Sequence, residues 1–176
     1  MGDDVLSESS SNTLRPARRG EPLQRLLFGG VYGTVLASAL AAALESDSGS
    51  PNPGYDAVWV LVAALASAAA HGYAHALAHR VAHDVAVTST LRSVLAEWPL
   101  LAAVLPTVAA LLTAHAGWWD EETALVAALA FNTVALFGWG LWATRVAGRS
   151  WAAACRAGCV DMLFGLFIIV ANALSK

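Results

Sequence analysis

Long runs of apolar residues alternate with short polar segments along the chain. The runs cover about residues 23–44, 57–80, 94–115, 123–144 and 154–174. As an α-helix rising 1.5 Å per residue, each run reaches across the ~30 Å hydrocarbon core of a bilayer. The pattern predicts an all-α, polytopic integral membrane protein, a bundle of five transmembrane helices.

The first 20 residues show no apolar periodicity and are acidic, then serine-rich, then basic. We therefore expect a disordered tail at 1–20, followed by a single five-helix transmembrane domain at 21–176. An alternative is that the first run is a cleaved signal peptide, because Ala37, Ser38 and Ala39 resemble a cleavage site. The run is long for such a signal and carries a glycine-rich face.

Charge is distributed unevenly between the two ends of the predicted spans. If the amino terminus is cytoplasmic, every arginine falls inside, whereas the acidic segments 45–56 and 120–122 and Lys176 fall outside. Positive charge next to membrane spans favours the cytoplasm. The sequence therefore predicts a cytoplasmic N-terminus and an outside C-terminus. We expect a multi-pass protein of the cell membrane, and a composition rich in alanine and arginine indicates a bacterial cytoplasmic membrane.

Composition supports a lipid-facing surface. The chain is 57% hydrophobic and 13% charged, whereas a soluble domain is about 25% charged. The expected partner is the lipid bilayer, and the net charge of −3 argues against a nucleic-acid partner. The sequence leaves open a homo-oligomer or a membrane-protein partner.

Small residues at helical spacing predict two close helix contacts. Gly29 and Gly33 form a GxxxG step in the first run, and Gly158 and Gly165 lie on one stripe of the fifth run together with Asp161. Such stripes let helix backbones approach closely in lipid.

Polar chemistry is concentrated in the second run, where His71, His75 and His79 recur every four residues. At about 100° per residue they share a helix face lined with small side chains. Asp161 faces inward on the fifth helix, and Glu97 opens the third helix on the same, cytoplasmic side. We expect this His/Asp/Glu cluster to share one cavity there.

Imidazole and carboxylate groups suit proton transfer or the binding of a divalent metal ion, and histidines at i and i+4 can hold one ion. His71 and His75 are the candidate metal ligands, and a divalent metal ion is the candidate cofactor. The leading hypothesis is a transporter, channel or sensor subunit that handles protons or such an ion. The alternative is a non-catalytic scaffold or accessory subunit whose polar groups only fasten helices, and a membrane metalloenzyme is a third. Without a Walker, GxGxxG, HExxH or GxSxG motif, we do not expect an enzyme.

Overall fold

A computed structural model of the protein describes residues 21–46, 50–83 and 95–175. Within these ranges the chain is all-helical and contains no strand. The helices are α1 (Glu21–Glu45), α2 (Pro53–His83), α3 (Trp98–His115), α4 (Glu121–Val146) and α5 (Trp151–Ser175). All five are long and apolar enough to cross a membrane by length and composition. The expectation for residues 1–20 lies outside the described residues.

Local capping sets where the helices begin. Asn52 accepts a hydrogen bond from the backbone N–H of Tyr55 at 3.2 Å, and Pro53 follows as the first residue of α2. Asp120 accepts the N–H of Thr123 at 2.8 Å at the start of α4. Asn and Asp are favoured caps because their side chains satisfy N–H groups that have no partner within the helix.

Two glycines end helices by adopting backbone conformations that other residues rarely take. Gly117 follows α3 with φ 81°, and Gly148 follows α4 with φ 74°. Beyond them the N–H of Trp118 donates to the carbonyl of Thr113 at 3.1 Å, and Arg149 donates to Thr144 at 3.2 Å. Such bonds satisfy the last carbonyls of a helix. They turn the chain back so that α3, α4 and α5 alternate in direction.

The helix α1 lies at the centre of the bundle and packs against all four others. The helices α3 and α4 complete the central group. α2 packs on α3 and α1, and α5 packs on α4 and α1. In the described part of the chain, α1 therefore lies between α2 and α5.

The core is built largely from alanine, valine and leucine, including Ala37, Ala41, Val60, Ala64 and Leu111, all with no exposed surface. Large apolar side chains such as Phe131, Phe164 and Leu174 are instead exposed around the outside. Small side chains inside and bulky ones outside are the arrangement expected of helices packed in lipid.

Glycines mark the closest helix contacts. A β-carbon at Gly29 would lie 3.1 Å from that of Pro99, and one at Gly33 would lie 2.6 Å from the carbonyl oxygen of Leu100. Both glycines are on α1 and both neighbours on α3. On α5, Gly158 meets Phe137 of α4 and Gly165 meets Thr133 of α4. The two predicted stripes thus face neighbouring helices.

Candidate metal centre

Three of the side chains singled out in the sequence converge at one end of the bundle. His71 and His75 of α2 and Glu97, the residue before α3, each offer one ligand atom, and these atoms all lie within 4.8 Å of one another. Two nitrogen donors and one oxygen donor are therefore brought together from two helices.

Antiparallel packing of α2 and α3 produces this meeting. At the far end of the pair, Gly54 lies against His115, since a β-carbon on Gly54 would be 2.7 Å from the imidazole Nδ1. From Gly54 to His71 the helix rises about 26 Å, and from His115 back to Glu97 about 27 Å. The register fixed at one end therefore places Glu97 level with the histidines at the other.

The two histidines are neighbours on one face of α2. Their ring centroids are 4.7 Å apart, with an interplanar angle of 85°. This edge-on arrangement follows from the i, i+4 spacing, which places side chains one turn apart on the same face. One ion between them can thus receive a nitrogen from each ring.

The aromatic rings of α1 hold His71 from the side. The imidazole stacks on Phe28 at 5.1 Å between centroids and on Tyr32 at 5.6 Å, with interplanar angles of 14° and 20°. Its Nε2 is buried and has no hydrogen-bond partner among the described residues. A ring packed in this way keeps a lone pair or a proton available for a ligand, because no protein group uses it.

Glu97 is buried, with 8% of its surface exposed. It occupies the N-cap position of α3, but its side chain makes no capping hydrogen bond. Its carboxylate is therefore not used as a cap and can face the histidines. His75 is the exposed member of the three, so the site has a buried side and an open side.

This donor set suits a borderline divalent ion. Imidazole nitrogen and carboxylate oxygen bind Zn²⁺ at about 2.0–2.2 Å, which in a tetrahedral site places donor atoms roughly 3.4 Å apart. Since no two of the three atoms are more than 4.8 Å apart, the side chains need to close by at most about 1.4 Å to reach this spacing. Three protein ligands leave a fourth position for water or for an exchanging ligand. Fe²⁺ and Mn²⁺ accept the same donors.

Asp161 lies elsewhere. It packs against Gly140 of α4 and lines a groove of about 560 Å³ between α1 and α5. Phe28 and Tyr32 line that groove as well, and the same two rings stack on His71. The aromatic pair therefore stands between Asp161 and the histidines, and the structure does not bring Asp161 into the group of three.

His79 continues the histidine face of α2 two turns beyond His71. Its backbone is helical, whereas its side chain lies outside the described residues. Its predicted membership of the cluster stays a prediction.

Sequence reasoning missed the part played by Phe28 and Tyr32. Their i, i+4 spacing on α1 is visible in the sequence, because it places both rings on one face. Only the packing of α1 on α2 shows that this face meets a histidine.

Polar residues elsewhere in the bundle join helices to one another. Asn132 of α4 donates to the Thr107 hydroxyl of α3 at 3.0 Å, and Trp139 of α4 donates to the Thr34 hydroxyl of α1 at 3.2 Å. Asn132 and Thr107 have no exposed surface. These two hydrogen bonds show how polar side chains join helices in this bundle, and the three candidate metal ligands can be compared with them.

Comparison of the chain with protein-family models finds no match, and neither do comparisons with curated proteins and with solved structures.

Proposed function

We propose that the protein is a multi-pass membrane protein that takes up a divalent transition-metal ion through His71, His75 and Glu97, as a transporter, channel or sensor subunit. The observation that carries this proposal is the convergence of three ligand atoms from two helices within 4.8 Å. The unpartnered Nε2 of His71 supports it, because buried polar atoms in proteins nearly always have a partner.

A purely structural role explains these three residues less well. Groups that fasten helices do so by hydrogen bonds, as Asn132 and Trp139 do in this bundle. In the described part of the chain, no hydrogen bond links His71 or His75 to Glu97. The three donor atoms are therefore not used to join α2 to Glu97 by a hydrogen bond.

The position of the site favours exchange with water. Glu97 stands at the end of α3, and His75 is exposed. Metal binding also requires neutral imidazoles and an ionised carboxylate, so uptake of the ion is coupled to release of protons. Proton and metal handling are thus two aspects of one site.

We place the site on the cytoplasmic side, with the N-terminus inside. In support, Arg145, at the corresponding end of α4, lies 4.3 Å from the ring centroid of Trp151 and donates to the carbonyl of Arg149 at 2.7 Å. Asp120 and Glu122 lie at the other end of α4. Positive charge beside a membrane span is typical of the cytoplasmic boundary.

Binding of Zn²⁺ to the purified protein tests the proposal. We expect one saturable site, measured by isothermal titration calorimetry, and His71→Ala or Glu97→Gln should each weaken binding about 100-fold or more, since even residues that only support a ligand cost 10–100-fold. Glu122→Gln, at an exposed acidic residue near the start of α4, is the matched control for Glu97→Gln and should leave affinity unchanged. Absence of saturable binding, or equal binding by all variants, would refute the metal site. Zn²⁺ flux into proteoliposomes then separates a transporter from a sensor.

Cysteine labelling tests the orientation. In a background with Cys155 and Cys159 replaced by alanine, Ser50→Cys should react with a membrane-impermeant maleimide added to intact cells. Arg149→Cys should react only after the cells are opened. The reverse result would overturn the assignment of sides.

A further inference from the structure

The groove between α1 and α5 carries a second feature that points to a ligand. Its volume is about 560 Å³, and it is lined by six apolar or aromatic side chains and by one charged residue, Asp161. The rings of Phe28, Tyr32 and Phe164 are 52%, 41% and 55% exposed. The groove therefore opens on the outer surface of the bundle, toward the space that lipid would occupy.

Asp161 lines this groove with its side chain partly buried. Its carboxylate lies beside Gly140, where a side chain would collide with it, so the absence of a β-carbon on α4 makes room for it. Among the residues described, no hydrogen bond or ion pair reaches Asp161. An unpaired carboxylate in apolar surroundings is costly, and ionisable groups in membrane spans are functional-site candidates.

No arginine with a described side chain forms an ion pair with the carboxylate of Asp161. Arg145 is engaged with Trp151 and with the carbonyl of Arg149, and the other three arginines with described side chains, Arg25, Arg149 and Arg156, are exposed. The carboxylate of Asp161 is therefore open to pairing with a cationic ligand in the groove. A divalent metal ion is a poor fit, because only one side chain in the groove offers an oxygen ligand of the kind such ions require, and they take several.

The apolar and aromatic side chains that line the rest of the groove favour an organic cation as its ligand. Small-molecule sites commonly measure about 300–1,000 Å³ and combine apolar walls with a few polar groups. Aromatic rings attract cations through the negative charge of their faces. We propose that this groove binds a lipophilic organic cation that enters from the bilayer, with Asp161 as its counter-ion and the three rings as its apolar and cation–π contacts.

Binding of tetraphenylphosphonium tests this site independently of the metal centre. With purified protein in lipid nanodiscs and equilibrium dialysis, we expect saturable binding that Asp161→Asn weakens at least tenfold. Asp161→Glu keeps the charge and should retain binding within about threefold of the wild type. Glu122→Gln, at an exposed acidic residue outside the groove, should have no effect. Tetramethylammonium, which has the charge without the apolar groups, should bind far more weakly.

Filling the groove gives a second test that leaves the carboxylate in place. Val31→Trp should abolish tetraphenylphosphonium binding while Zn²⁺ binding at His71, His75 and Glu97 persists. Equal binding by the wild type and Asp161→Asn would overturn the proposal and indicate simple partitioning into an apolar surface. The absence of saturable binding in the wild type would overturn it as well.

Discussion

The contact of α1 with α3 gives the sharpest test of the packing. A β-carbon at Gly33 would lie 2.6 Å from the carbonyl oxygen of Leu100, 2.9 Å from the β-carbon of Ala103 and 3.0 Å from the α-carbon of Leu100. None of these atoms can rotate away, since two are backbone and one is attached directly to it. Gly33→Ala therefore forces α1 away from α3 by roughly 0.5–1 Å, given ordinary carbon contacts of about 3.5–4.0 Å.

The expected cost follows from two opposing effects. Overpacking of a close contact costs about 1–3 kcal/mol. Replacing glycine by alanine inside a helix recovers about 0.5–1 kcal/mol. We expect Gly33→Ala to lower the free energy of unfolding by roughly 1 kcal/mol, because the midpoints of these ranges, about 2 and about 0.75 kcal/mol, differ by that much.

Gly138 of α4 provides the matched control. It is inside a helix, as Gly33 is, but a β-carbon there would have no atom within 4 Å. Gly138→Ala should therefore raise stability by about 0.5–1 kcal/mol from helix propensity alone. Reversible unfolding in mixed micelles with increasing dodecyl sulfate, followed by circular dichroism, measures both. If Gly33→Ala and Gly138→Ala changed stability by the same amount, the close approach of α1 and α3 would be refuted.

Three further predictions concern caps, buried hydrogen bonds and protons. The pKa of Asp120 is lowered from its ordinary 3.8, first by the backbone N–H of Thr123 and then by the Thr123 hydroxyl. Asp120→Ala should therefore destabilise the start of α4 at neutral pH, and the difference should vanish as the pH falls through the lowered pKa, as measured by amide hydrogen exchange. A double-mutant cycle of Asn132→Ala and Thr107→Val should show a coupling of about 0.6 kcal/mol, the average that such cycles give for hydrogen bonds between membrane helices. Zn²⁺ affinity should rise with pH, because protons compete with the ion for its ligands.

Each of these has a result that contradicts it. For Asp120, the contradicting result is a destabilisation by Asp120→Ala that is as large at acid pH as at neutral pH, since a protonated carboxyl loses the charge that strengthens the cap. For Asn132 and Thr107, it is strict additivity of the two substitutions. For the metal site, it is a Zn²⁺ affinity that does not vary with pH.

The sequence predicted the number of helices and their approximate ends because the apolar runs are long and separated by polar segments. The predicted start near residue 94 differs from the observed start of α3 at Trp98. Pro99 accounts for this difference, because proline lacks an N–H and is favoured in the first turn of a helix. The helix α2 begins at Pro53 rather than near 57, since Asn52 caps it and proline is favoured directly after a cap.

The candidate site was only partly predictable. The face shared by His71 and His75 follows from helix periodicity alone. The approach of Glu97 depends on the register between α2 and α3, which is set at the far end by Gly54 and His115 and has no local signal. Asp161 is separated from the histidines because α1 packs between α2 and α5. Helix periodicity predicts which face of a helix a residue occupies, but not which helix lies against that face.

For the proposed membrane-spanning bundle, the unequal lengths of α2 and α3 would connect the candidate metal site to the thickness of the bilayer. The 31 residues of α2 reach about 46 Å, whereas the 18 residues of α3 reach only about 27 Å, slightly less than a typical hydrocarbon core. In a thick membrane Glu97 would be drawn below the water boundary, or the lipid around α3 would have to thin, at a cost of fractions of a kcal/mol per Å. Acyl-chain length thereby becomes a variable that sets how readily an ion reaches Glu97, and the affinity of the site for Zn²⁺ should decline from short-chain to long-chain lipids.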